Sequence, residues 1–204
     1  MADDLNAVKT GRAYHHGDLR AALLEAAEDV IAERGVEGFS LREAARRAGV
    51  SPSAPAHHFG DTRGLLTALA TIAFKRLGDA LEAASAHGSR AERIRGQGAA
   101  YVGFALGQRA KYDLMWRAAL LNRDDPDYAA AARRAFRLLD EGVRAAEAPA
   151  TAPGDAEAAP SIACWALVHG FARLAIDGAF GIEPGAAERA AEALLPRVLD
   201  HLDV

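Results

Sequence analysis

Two helix-start signals with a helix-stop signal between them limit the fold more than any other feature of this chain. Ser40 and Glu43 predict a capping box, in which the serine hydroxyl accepts from the amide of Glu43 and the carboxylate reaches back to the amide of Ser40. Gly49 predicts the end of that helix, because glycine readily adopts the left-handed conformation found there. Ser51 and Pro52 predict the next start, with Ser51 as cap and Pro52 at the first helical position. Two short helices joined by about three residues form a helix-turn-helix motif.

The remaining sequence carries further helical signals. Apolar residues recur at helical spacing from Asp18 to Arg34, and Gly60 and Asp61 predict the end of one helix and the cap of the next. Ser89 and Glu92 predict a second capping box. We expect helices from Thr62 to about Ala86 and, at the other end of the chain, near 160–179 and 184–202.

These signals predict an all-α fold with about nine helices. No segment shows the alternation typical of a strand, and no internal repeat is found. We expect an N-terminal three-helix domain with the helix-turn-helix at residues 1–62. A larger helical domain is expected at residues 63–204. The boundary falls at the fourth helix, so no flexible linker is predicted.

Composition narrows the class of protein. Half of the residues are hydrophobic, which favours a sizeable core over disorder. Cys164 is the only cysteine, so an intramolecular disulfide is excluded and a reducing compartment is favoured. Residues 1–9 lack the pattern of a signal peptide, and no stretch approaches the roughly 18 apolar residues that span a bilayer. We therefore expect a cytoplasmic protein with no membrane partner.

Charge permits nucleic-acid binding without demonstrating it. The first 60 residues contain seven basic and nine acidic side chains. Phosphates respond to charges within about 10 Å at physiological salt, so distribution matters more than the total. A basic cluster lies at Lys9, Arg12, His15, His16 and Arg20, opposed only by Asp18.

Residues 39–66 resemble the DNA-binding domain of the TetR family. The matching residues are Ala44, Ala48, Gly49-Val50-Ser51, His58-Phe59 and Leu65-Leu66, together with Gly35, Gly38 and Phe39 before them. Further along, Trp165-Ala-Leu-Val-His169-Gly170 and, at the opening, Tyr14-His15-His16-Gly17-Asp18-Leu19 resemble a subset marked by Trp-His-Gly. The resemblance implies an all-helical homodimer whose last two helices pair across a two-fold axis. It also implies an effector pocket in each larger domain.

The candidate DNA contacts combine the basic cluster with the helix-turn-helix. They are Lys9, Arg12, His15, His16, Arg42, Ser51, Ser53, Ala56, His57, His58 and Thr62. Family members usually carry a tyrosine in place of Ala56 and a lysine in place of Thr62, and both commonly touch phosphates. The chain therefore lacks two positioning contacts of the family, so affinity or operator geometry is expected to differ.

Pro55 is the strongest departure from helical rules. Counted from Ser51, it falls at the fourth helical position, where its missing N–H loses a bond and its ring crowds a carbonyl. Either the helix begins late, at about Ala54 with Ser53 as its cap, or its first turn is distorted. The first alternative leaves a short recognition helix that ends near Phe59.

The larger aromatic and apolar side chains of the second domain are the candidate lining of an effector pocket. They are Tyr101, Phe104, Met115, Trp116, Phe136, Trp165 and His169. His169 is assigned to the pocket on the family resemblance, since a core position fits it equally well. Leu194, Leu195, Val198, Leu199 and Leu202 form too wide a stripe for a lone surface helix, which predicts a dimer contact.

The function predicted from these features is a ligand-responsive transcriptional regulator, expected to be a repressor, that binds a palindromic DNA operator as a homodimer. The effector is expected to be a small molecule of apolar or mixed polarity, and no cofactor is predicted. Adjacent histidines at 15–16 and 57–58 lack the three- or four-residue spacing of metal ligands on a helix, so no metal site is predicted. The alternatives are a small helical enzyme using the Tyr/His/Asp interior, and a helical interaction protein that has lost operator binding.

Overall fold

The computed structural model describes residues 16–85, 88–144 and 149–201, and within these residues the chain forms nine α-helices and no strands. The helices are α1 (His16–Arg34), α2 (Leu41–Arg47), α3 (Ala54–Phe59), α4 (Thr62–Ala84), α5 (Arg90–Gly107), α6 (Arg109–Met115), α7 (Pro126–Arg144), α8 (Ala159–Ile176) and α9 (Ala186–Leu199). Single 3-10 turns lie at Ala118–Leu120 and Ala156–Ala158. The all-α fold and the number of helices are confirmed.

Helix α2 begins and ends where the sequence predicts. The hydroxyl of Ser40 accepts from the amide of Glu43 at 3.4 Å, and Gly49 adopts a φ of 70° beyond the helix end. The reciprocal half of the predicted capping box is not formed, because the Glu43 carboxylate accepts from Arg46 and Arg47 instead. The predicted box at Ser89 and Glu92 is complete, with both hydrogen bonds present.

The predicted start of α3 with Ser51 as cap and Pro52 at the first helical position is wrong, and the late start that Pro55 offered as an alternative is the one observed. Helix α3 runs from Ala54 to Phe59, which places the proline in the first turn, where backbone amides have no internal partner. Ser53 precedes the helix but caps nothing with its side chain; its hydroxyl lies 3.1 Å from that of Ser51. The Pro55 ring is fully buried, so the residue that shortens the helix also packs beneath it.

A single hydrophobic core crosses the predicted domain boundary. Asp61 caps α4 by accepting from the amide of Gly64 at 2.8 Å, and α4 then packs against α1, α3, α5, α6 and α7. The core includes Leu23 of α1, Leu65 and Leu69 of α4, and Val102 of α5, all almost fully buried. No break in packing occurs between residues 62 and 63, so the division at that point stays a prediction.

The leucine stripe of α9 is divided between two faces. Leu195 and Leu199 are buried within the chain, whereas Leu194 is 42% exposed and Val198 is half-buried; Leu202 lies outside the described residues. The expectation that the whole stripe awaits a partner subunit is therefore wrong for Leu195 and Leu199. Alpha-helical spacing places them toward α5, where Leu199 leaves no room for a side chain at Gly98.

One helical segment is more apolar than the sequence analysis predicts. Residues Ala156–Ile176 are long and apolar enough to cross a membrane by length and composition alone, contrary to the expectation of no such stretch. Only 33% of the most apolar part is buried in the chain. The segment packs against α5, α7 and α9 on one side, which leaves an apolar surface on the other.

Candidate functional site

The turn and helix α3 present the predicted polar surface. Ser51, Ser53, Ala56 and His57 are on the outside of this unit, and His58 is half-buried. Thr62, the first residue of α4, is also exposed. Lys9, Arg12 and His15 lie outside the described residues, and His16 is the first residue of α1, where only the backbone is described.

Most arginines of α1 and α2 are engaged by carboxylates. Arg46 and Arg47 both donate to Glu43, and Arg47 also binds Glu33 of α1. Hydrogen bonds from Arg46 and then Arg47 lower the pKa of Glu43 to about 2, so the carboxylate stays anionic at every physiological pH. The network, which Arg34 of α1 joins through Glu43, ties α2 to α1 and offsets most of the positive charge that it contains. Sequence reasoning missed this pairing.

Arg42 is the cation of α2 that remains available for phosphate. It is exposed and forms no ion pair with any described residue. Arg20 of α1, which the sequence placed in the basic cluster, lies over the ring of Phe59 at 5.1 Å from its centroid. This cation–π contact fixes the end of α3 against α1. The described part of the interface is therefore polar and only weakly basic.

The second site is a cavity of about 850 Å³ among helices α4 to α9. Five of the seven predicted pocket residues line it: Tyr101, Met115, Trp116, Phe136 and Trp165. Phe104 does not line it, although it is buried in the same core as Tyr101. His169 does not line it either. A volume of this size holds a small-molecule ligand.

His169 lies behind the cavity wall and holds Tyr101 in place. Its Nδ1 is 2.8 Å from the hydroxyl of Tyr101 and 2.9 Å from that of Tyr112. Burial, and secondarily Arg173, lowers the pKa of His169, while burial raises the pKa of Tyr101. All three groups are thus neutral at pH 7, and the two phenols share one ring nitrogen. Trp165 Nε1 also donates to the Tyr101 hydroxyl at 3.3 Å, so a pocket-lining phenol is oriented from two sides.

Gln97 is a polar cavity residue that sequence reasoning missed. Its side-chain nitrogen donates to the Ser85 hydroxyl at 2.7 Å and to the Leu138 carbonyl at 2.8 Å. Its oxygen has no partner among the described residues, and it packs so closely on Gly142 that an added Cβ would lie 2.4 Å away. The sequence does contain a signal for this residue, because Gln97 is a polar residue within the apolar stripe of α5, between Ile94 and Tyr101.

The segment from α6 to the following 3-10 turn joins the cavity to the first helices. Lys111 of α6 is buried and forms an ion pair with Glu28 of α1. Arg117 lies 3.4 Å from Glu37, and Arg63 donates to the carbonyl of Ala119 at 3.1 Å. Since Met115 and Trp116 in the same segment line the cavity, one short stretch contacts both the cavity and helix α1.

Sequence comparisons match two parts of the chain to known families. Residues 23–69 match the family described as bacterial regulatory proteins, tetR family. Residues 94–198 match the family described as tetracyclin repressor-like, C-terminal domain. The second match covers more than half of the chain. None of the curated proteins matches the sequence.

Solved structures show the same architecture over nearly the full length. A protein of unknown function from Rhodococcus sp. RHA1 is 35% identical, with a TM-score of 0.72 over 93% of this chain and 97% of its own. A tetR-family regulatory protein from Rhodococcus RHA1 is 22% identical, with a TM-score of 0.67 over 90% and 96%. The regulator LfrR from Mycobacterium smegmatis, solved with proflavine, is 21% identical, with a TM-score of 0.63 over 92% and 98%. The chain belongs to the TetR family of bacterial transcriptional regulators.

Proposed function

We propose that the chain is a repressor that binds a palindromic operator as a homodimer and responds to a small ligand. The observation that carries this proposal is the α6 segment, which lines the 850 Å³ cavity and also forms ion pairs with Glu28 of α1 and with Glu37 between α1 and α2. A change in cavity occupancy that moves this segment alters the position of α1 and, with it, α3. By linkage, operator DNA must then weaken ligand binding by the same factor as ligand weakens operator binding.

DNA recognition is assigned to the exposed face of α3. Ala56 and His57 point away from the core and are the candidates for contact with base edges, while Ser51, Ser53 and Arg42 are candidates for phosphate contact. The recognition helix has six residues. Such a short helix offers few side chains to the major groove, so we expect the sequence preference to rest on a small number of base contacts in each half-site.

The dimer surface is assigned to the outward faces of α8 and α9. Leu174 is 52% exposed and Leu194 is 42% exposed, next to the half-buried Leu167 and Val198. An exposed apolar face on two adjacent helices fits a symmetric contact with the same face of a second copy. The resulting four-helix bundle would set the spacing of the two α3 helices, which must reach half-sites about 34–36 Å apart or a multiple of that.

Transmission is assigned to the buried Lys111–Glu28 pair. Lys111 is 2% exposed, so α6 cannot shift without either carrying α1 with it or separating a cation from its counter-ion. Separation inside the protein is costly. A ligand that displaces the Trp116 end of α6 therefore moves α1, and we expect that movement to change the separation of the two recognition helices.

Selection from random duplex DNA tests operator binding even though the target sequence is not known. We expect the full-length protein to enrich a palindrome and to bind it with a strong dependence on salt. Ala56→Glu, on the exposed face of α3, serves as the matched variant, since it places a carboxylate against DNA without disturbing the core. No enrichment by the wild type would contradict the proposal and favour the interaction-protein alternative.

The response to ligand is tested on the selected palindrome. Trp165→Ala removes an aromatic wall of the cavity and leaves α3 untouched, so it should keep operator affinity and lose the effect of cavity ligands. A metabolite extract that releases the wild type but not the variant would support the assignment. Equal release of both proteins would place the effector elsewhere.

A further inference from the structure

The cavity has an apolar interior and a positively charged rim. The buried part of its lining consists mainly of apolar and aromatic groups, such as Phe74, Tyr101, Met115 and Val168. Arg123, Arg133 and Arg137 also line the cavity and are at least partly exposed, which places them where it opens to solvent. The interior therefore suits the body of an apolar molecule, and the opening offers positive charge.

No carboxylate is among the described residues that line the cavity. Its fourth arginine, Arg134, is already engaged, since it binds Asp79 and Glu82 of α4 at 2.7 Å each. Arg137 has a looser contact with Glu141 at 3.6 Å, and Arg133 forms no ion pair with any described residue. A cationic ligand would meet positive charge at this opening without a carboxylate on the wall to offset it.

Arg133 and Arg137 are four residues apart on α7 and thus lie on the same helix face. Like charges at this spacing destabilise a helix slightly, so the pair has a cost in the absence of an anion. Guanidinium groups bind carboxylate and other oxyanions in a two-pronged geometry. An anion held between the two side chains would remove the repulsion and form charge-assisted hydrogen bonds.

We infer that the cavity takes an amphipathic organic anion, with its apolar body among the aromatic side chains and its acidic group at the rim against Arg133 and Arg137. This inference rests on the proposed function and names the chemical class of the effector.

A pair of matched dyes tests the charge preference. Anilinonaphthalene sulfonate carries an acidic group on an aromatic body, and phenylnaphthylamine has nearly the same body without the charge. The only two tryptophans of the chain, Trp116 and Trp165, both line the cavity, so quenching of their fluorescence by energy transfer reports occupancy. Both dyes are titrated into the full-length protein at low and high salt.

The decisive variant is Arg133→Gln with Arg137→Gln. We expect it to weaken binding of the sulfonate dye by about fivefold, as two exposed ion pairs would, and to leave the neutral dye unchanged. Arg133→Lys with Arg137→Lys should retain most of the sulfonate affinity. Lys75→Gln with Arg76→Gln is the control, because it removes the same charge from exposed positions of α4 that do not line the cavity.

Each outcome supports or overturns the inference. The anion assignment is supported if the sulfonate dye binds more tightly than the neutral dye, and if salt weakens its binding. Only the glutamine variant should remove the difference in affinity between the two dyes. Equal binding of both dyes, unaffected by the glutamine variant, overturns that assignment and leaves the ligand-responsive function standing. If neither dye quenches the tryptophans, the cavity is not a ligand site, and both the assignment and the proposed response to ligand are wrong.

Discussion

The helix-turn-helix and the cavity are built from interactions of different range. In the first, the boundaries depend on neighbours in the chain: Ser40 caps α2, Gly49 ends it, and Asp61 caps α4. In the second, Tyr101 meets His169 across 68 positions of sequence. Local signals therefore predicted most helix ends of the first region, whereas the second was predicted only as a set of mainly apolar side chains. The difference suggests variants that separate local from long-range effects.

The largest expected effect concerns the two faces of α9. Leu199→Asp buries a carboxylate beside Gly98, so we expect the free energy of unfolding to fall by at least about 3 kcal/mol and most of the protein to misfold. Leu194→Asp, on the exposed face of the same helix, should leave the helical circular dichroism intact and yield monomers in light scattering. Loss of folding in both variants would show that α9 is not divided between the chain and its partner.

Next is the ion pair between α1 and α6. Glu28→Gln leaves Lys111 charged and buried, and we expect a loss of about 1–2 kcal/mol in denaturant unfolding, reduced because Glu28 is 34% exposed. Glu37→Gln breaks the exposed pair with Arg117 and serves as the control with almost no change. If the two variants unfold alike, the buried pair does not stabilise the junction of the two regions.

A smaller effect is expected from the pH dependence of His169. Burial lowers its pKa below the ordinary 6.5, so the unfolded chain binds the proton more readily than the folded one. Stability from this residue is complete above pH 6.5 and is lost as pH falls toward the lowered value. Melting from about pH 7.5 to about pH 5.5 should show a steeper decline in wild type than in His169→Gln. Parallel curves would mean that His169 has the same pKa in the folded and the unfolded chain.

The smallest expected effect separates two arginines of α2. Arg42→Gln should lower the salt dependence of operator binding by about two units in the log–log slope, because it removes one phosphate contact in each of the two half-sites. Arg46→Gln should change it less, because its charge is offset by Glu43 in the free protein. An equal change in both slopes would show that DNA displaces Glu43 from Arg46, so that local pairing does not determine the contacts.

The sequence predicted most helix bounds, but it predicted hydrogen-bond partners and pocket residues only in part. Pro55 indicated from covalent geometry that α3 either begins late or has a distorted first turn, and the helix begins late, at Ala54. The capping box at Ser40 was half wrong, because Glu43 lies within reach of arginines whose positions depend on the packing of α1 against α2. Phe104 and His169 were assigned to the pocket by residue type and by family resemblance, and neither lines it.

The sequence by itself determined the helical class, the position of most helix ends and the resemblance to the TetR family, because caps, glycines and prolines act through bonds within a few residues. Only the tertiary structure decided which leucines of α9 are core, which arginines keep their charge free, and which side chains enclose the cavity. The physical reason is that an apolar stripe requires burial without specifying what covers it. A neighbouring helix, a ligand and a second subunit satisfy it equally, and the choice among them depends on packing that brings together residues far apart in the chain.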